Sequence, residues 1–79
     1  MINVLVISHT GVLFEGQASR VILPGEAGVF EVLPFHRPLV SRLFPGTVIV
    51  DETLLPITRG VVTVNHNRVT ALVEGRGMP

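Results

Sequence analysis

Residues 20–46 read RVILPGEAGVFEVLPFHRPLVSRLFPG. Within this stretch lie four of the six prolines, three of the eight glycines and three of the four phenylalanines of the chain. Short apolar runs alternate here with turn residues. In Ala18 to Pro24, Val21 and Leu23 point one way, and Arg20 and Ile22 the other. In Gly28 to Leu33, Val29, Glu31 and Leu33 oppose Phe30 and Val32. This period of two is the signature of a half-buried strand. Pro24-Gly25 and Pro45-Gly46 each read as a type II turn, in which proline presets φ and glycine accepts a positive φ. Pro34 and Pro38 bracket Phe35-His36-Arg37. Proline cannot donate to a ladder, so this piece is expected in a loop or on an edge. Leu39 to Phe44 follows as a strand or a single helical turn.

The flanks extend the pattern. Ile2 to Ser8 is apolar on both faces, which predicts burial on both sides, within a sandwich or against a partner. His9-Thr10-Gly11 turns the chain into Val12 to Glu15, closed by Gly16. Thr47 to Asp51 is a strand. Leu54 to Arg59 is a weaker one, interrupted by Pro56 and therefore expected at an edge. Gly60 to Asn65 and Arg68 to Glu74 form a hairpin around Asn65-His66-Asn67, because asparagine tolerates left-handed geometry. Residues 76–79 are expected as a disordered tail after a domain of residues 1–75. The fold class is all-β: a small antiparallel sandwich or barrel of about eight to ten short strands, with no helix.

Composition narrows the function. At 79 residues the chain makes one domain of marginal stability. It has no cysteine, hence no disulfide and no thiolate metal site. Six basic and six acidic side chains cancel. A neutral chain is poorly suited to broad nucleic-acid binding, which needs a basic surface to displace counterions. The N-terminal MINVLVIS lacks a positive n-region and reads as a strand, not a leader. No apolar run approaches the ~18 residues of a spanning helix. The default location is therefore cytoplasmic.

Catalytic chemistry is thin. His9, His36 and His66 are dispersed, and no HxH or HExxH spacing supports zinc. Ser8, Ser19 and Ser41 lie in no nucleophile elbow. Glu26, Glu31 and His36 are the one conceivable acid–base set, against a plainer reading as solvated turn residues. No cofactor and no metal is expected. Phe35 stands out, because a large apolar side chain sits where a loop calls for small polar ones. It reads equally as an exposed interface anchor and as a plug folded back into the core.

The order of turns resembles the epsilon subunit of F-type ATP synthases (delta in mitochondria). Leu23-Pro24-Gly25, Gly28, Leu33-Pro34, His36, Pro38-Leu39 and Pro45-Gly46 fit that family's P-x-H-x-P-L segment between two Pro-Gly turns. Val12 to Gly16 resembles its V-x-F-x-G hairpin. Gly60 to Val64 and Arg68 to Leu72 resemble two later strands. The resemblance implies an N-terminal β-sandwich without catalytic residues. It implies a central-stalk role in proton-driven ATP synthesis, on the cytoplasmic face of the membrane and touching it only through the c-ring. The implied partners are the gamma subunit, at Ser8, His36 and Ser41, to which Phe35 is added as a candidate anchor on its own chemistry, and the c-ring, at Gly28, Val29, Phe30 and Glu31. The family commonly has an acid where Val29 stands, and glycine where Glu31 and Phe35 stand. It also continues into a C-terminal helical pair carrying autoinhibition, expected here to be absent. Apolar patches suited to gamma would leave the isolated chain open to self-association. The alternative is a generic β-sandwich module that binds a peptide or ligand along the edge near Pro56.

Overall fold

The computed structural model describes residues 1–75 and contains eight strands with no helix among them. They are β1 (Ile2–Ser8), β2 (Gly11–Ala18), β3 (Val21–Gly25), β4 (Gly28–Val32), β5 (Leu39–Leu43), β6 (Gly46–Val50), β7 (Thr53–Asn65) and β8 (Arg68–Gly75). The predicted tail at 76–79 lies outside the described residues.

The strands run in the order β2-β1-β8-β7-β5-β3-β4, with β6 bridging β3 and β7. All pairs are antiparallel except β1 with β8, which are parallel. The long β7 serves both layers. Its first part pairs with β6, from Val50↔Thr53 to Gly46↔Ile57. Its second part lies between β5 and β8, with Leu43↔Gly60 on one side and Gly60↔Val73 on the other. Two separate strands were expected here. The chain instead runs on through an irregularity between Ile57 and Arg59. Such a bulge bends a strand without ending it, and here the Thr58 hydroxyl donates to the Glu74 carbonyl at 3.2 Å. Residues 53–56 pair with β6 alone among the described residues, which accommodates Pro56 at the expected edge.

Alternation builds the core. Ile2, Val4 and Val6 of β1 face Val69, Ala71 and Val73 of β8, Val62 and Val64 of β7, and Val21 and Leu23 of β3 in one buried cluster. No polar side chain is buried among the described residues. Only one face of β1 is covered. Leu5 and Ile7, expected to be buried as well, are half-buried. The opposite side of that sheet is open, and Ile7, Leu72 and Val61 form one row across β1, β8 and β7 on it.

Both Pro-Gly turns are displaced from their predicted place. Pro24 and Gly25 end β3, Gly25 pairs with Gly28, and Glu26-Ala27 makes the turn. The positive φ belongs to Gly28, at 123°. Gly25 is needed for space instead: a Cβ there would lie 2.6 Å from the Phe30 ring. Gly46 has the same role against Pro24, at 2.8 Å. The Asn65–Arg68 hairpin does form, with His66 and Asn67 at φ 52° and 59°. Positive φ at both central residues is the primed turn that suits strand twist.

Candidate functional site

The seam between β4 and β5 is the candidate site. Among the described residues β4 pairs only with β3, and β5 meets β3 at a single position, Gly25↔Leu43. The two strands therefore part, leaving a shallow groove. It is lined by Glu26, Ala27, Gly28, Val29, Phe30, His36, Arg37, Leu39 and Ser41. His36 and Arg37 of the Pro34 to Pro38 loop and Glu26 and Ala27 of the β3–β4 turn contribute to its lining.

This groove gathers five of the eight predicted contact residues: His36 and Ser41 from one set, Gly28, Val29 and Phe30 from the other. Three lie elsewhere. Ser8, at the end of β1, has its Oγ 2.8 Å from Thr10 Oγ1 and accepts the Thr10 N–H at 3.2 Å. It is occupied in shaping the His9-Thr10 turn. Glu31 shares the outward face of β4 with Val29, so an acid moved by two residues does keep its face. Its carboxylate pairs with Arg20 at 3.4 Å, and neither residue lines the groove. Phe35 lies outside the groove and is 86% exposed. That overturns the core-plug reading.

Local chemistry orients the groove residues. His36 Nδ1 lies 2.6 Å from the Arg37 carbonyl. A carbonyl can only accept, so Nδ1 is the donor in this contact. Ser41 Oγ donates to the Arg42 carbonyl at 2.9 Å. Arg42 reaches Glu26 at 2.9 Å and fixes the rim. The acid–base set expected as a catalytic alternative is not assembled. Glu26 is held by Arg42 and Glu31 by Arg20, and Glu31 does not line the groove. Among the described residues no group of histidines and carboxylates is placed to hold a metal.

The loop above the groove is strained. The His36 N–H donates to the Leu33 carbonyl at 3.2 Å, closing a four-residue turn with Pro34 second and Phe35 third. Phe35 has φ 67°. Proline followed by a positive φ is the type II arrangement, whose third position belongs to glycine. A side chain in left-handed geometry costs roughly 1–2 kcal/mol. What holds it is Asn67, 32 residues away: its Oδ1 accepts the Phe35 N–H at 3.0 Å. Its Nδ2 donates to the Met1 carbonyl at 2.6 Å, and its own carbonyl accepts from Asn3 N–H at 3.1 Å. The sequence marked Asn67 as a turn former and carried no signal for this tether. A second depression was also missed. It is lined by Phe44, Gly60, Val61, Leu72 and Val73 and rimmed by Arg42, Arg59 and Glu74. Its apolar residues come from the β7–β8 hairpin and from Phe44, just after β5.

Comparison with known proteins bears on family and fold. The sequence pattern described as "ATP synthase, Delta/Epsilon chain, beta-sandwich domain" matches residues 1–76. The ATP synthase epsilon chain of Bordetella parapertussis is 38% identical over 78 residues, covering 92% of this chain and 56% of the relative. That of a Nitratiruptor species is 39% identical over 75 residues, covering 89% and 58%. The chain thus spans a little over half the length of these relatives. In fold it is similar to a chain in the central stalk and c-ring structure of the Tetrahymena thermophila mitochondrial ATP synthase. The TM-score is 0.76 at 16% identity, covering 92% of this chain and 63% of that one. A chain of the Euglena gracilis mitochondrial ATP synthase gives a TM-score of 0.83 at 19% identity, covering 91% and 49%. The pattern match over nearly the whole chain, joined to a helix-free sandwich with the expected loop order, places this protein in the ATP synthase delta/epsilon family, as its β-sandwich domain.

Proposed function

We propose that residues 1–75 act as one non-catalytic domain of the ATP synthase central stalk, coupling the gamma subunit to the c-ring in proton-driven ATP synthesis. The observation that carries this reading is the collinear family match over residues 1–76. The physics of the fold supports it. A coupling element must not bend under torque. Here β7 is stitched into both layers, and the interior is one close-packed apolar cluster. The groove supplies a contact surface that joins His36 and Ser41, the gamma side, to Gly28–Phe30, the ring side. Phe35 and Ser8 flank it as further gamma contacts, and Glu31 as a further ring contact. The place of work is the cytoplasmic face of the membrane, reached through the ring. The generic binding-module alternative accounts for none of the relatives.

The test is reconstitution with gamma and the c-ring of the same organism. The wild-type chain should be retained on gamma. His36→Ala should weaken that binding by about 1–3 kcal/mol if the ring is buried in the contact. No binding of the wild-type chain would refute the reading.

A further inference from the structure

The turn at Leu33–His36 solves no folding problem that glycine would not solve better. Phe35 occupies the one position of that turn where a side chain is penalised, at φ 67°. It gains nothing from the core in return, since it is 86% exposed. A strained residue persists only when its surroundings over-determine it, and strain of this kind gathers at functional positions. Here the surroundings are specific. Asn67 holds the Phe35 N–H with one side-chain atom and the Met1 carbonyl with the other. The loop is therefore tied to the β7–β8 turn and to the start of β1. Pro34 and Pro38 remove backbone freedom on either side. The result is an apolar ring presented on a stiff mount, which loses little conformational freedom on docking.

The mount itself carries charge of one sign, although Glu26 lines the groove with Arg37 and Glu15 lines a depression with Arg68. The segments Leu33–Leu39 and Asn65–Thr70 carry His36, Arg37, His66 and Arg68 and no carboxylate. Arg20, Arg42 and Arg59 are each paired with a glutamate. Arg37 and Arg68 have no such pair among the described residues, and both are exposed.

We propose that Phe35 is a preset anchor, with Asn67 as its positioning residue, for an apolar pocket rimmed by carboxylates on the gamma subunit. The proposal rests on the stalk reading above and adds the chemistry of the partner's pocket. The experiment measures binding of the full chain to the gamma subunit of its own organism, alongside thermal unfolding of each variant alone. Phe35→Gly should leave Tm unchanged or raise it, because strain is relieved, while binding falls about 30-fold, as for a hot-spot ring. Phe35→Leu should recover part of the loss. Asn67→Ala should weaken binding of wild type but add nothing in the Phe35→Gly background, a coupling that general destabilisation would not produce. Raised salt should weaken wild-type binding more than that of Arg37→Gln. If Phe35→Gly binds like wild type, or unfolds at a lower temperature, the anchor is wrong while the stalk reading stands. If the wild-type chain does not bind gamma at all, both fall.

Discussion

Asp51 grips the Arg20 backbone with both its own backbone and its side chain. The Asp51 N–H donates to the Arg20 carbonyl at 3.2 Å, and the Asp51 carboxylate accepts the Arg20 N–H, also at 3.2 Å. The same carboxylate oxygen accepts the Ser19 N–H at 2.9 Å. One residue of the β6–β7 turn thus fixes the β2–β3 connection, where the chain passes from one layer to the other. Asp51 itself sits at φ 52°, a conformation aspartate and asparagine tolerate better than most residues. We expect Asp51→Ala to cost about 1–3 kcal/mol in urea unfolding, from two lost charge-assisted bonds and the unsuited backbone. Asp51→Asn should cost clearly less, since it keeps an acceptor and the backbone preference. Equal costs would show that the clamp is not what matters.

Ile57 is fully buried just before β7 bends from one layer into the other. Its side chain packs in the single apolar cluster. Ile57→Val should lower stability by roughly 0.5–1.5 kcal/mol and Ile57→Ala by roughly 2–5 kcal/mol. In so short a chain the second change should leave a large unfolded fraction at ordinary temperature. Circular dichroism with denaturant would show it. A small effect of Ile57→Ala would mean that the bend is looser than described.

Gly25 and Gly28 face each other but fail for different reasons when given a side chain. A Cβ on Gly25 would crowd the Phe30 ring at 2.6 Å, whereas Gly28 has open space and a φ of 123°. Gly25→Ala should therefore be rescued in part by Phe30→Ala in the same chain, with a coupling of about 0.5–3 kcal/mol. Gly28→Ala should show no such coupling. Unfolding curves of the three single variants and of each glycine change combined with Phe30→Ala decide it.

Val29 is 73% exposed at the mouth of the groove. Val29→Arg should leave the Tm of the isolated chain nearly unchanged, because a surface change of this kind usually stays within about 0.5 kcal/mol. Assembly with the c-ring should nevertheless weaken, as a charge is forced against the contact. Co-purification of ring subunits with the variant gives the readout, and undiminished recovery would remove Val29 from the ring contact.

Much of the fold was legible because the pleat imposes a period of two. Val21 and Leu23 against Ile22, or Phe30 and Val32 against Val29 and Glu31, sort themselves by burial with no further information. Legibility stopped where a residue's neighbour came from far along the chain. Gly25 read as a turn glycine, because the ring of Phe30 folding over it is a packing fact. Leu5 and Ile7 read as buried because they are apolar, yet a strand cannot declare which of its faces another sheet will cover. The groove residues His36, Ser41 and Gly28–Phe30 were named individually. That they share one surface follows from β4 and β5 parting beside β3.

Residue order alone settled the strand class, the absence of thiols, the Asn65–Arg68 hairpin and the kinship carried by Pro34, His36 and Pro38. All of these rest on local chemistry or spacing. Tertiary structure alone decided that Phe35 stands outside the core, that Asn67 tethers it across 32 residues, and that Glu31 turns to Arg20. Those outcomes depend on which strands become neighbours, and burying the apolar faces of the whole chain is what selects that arrangement.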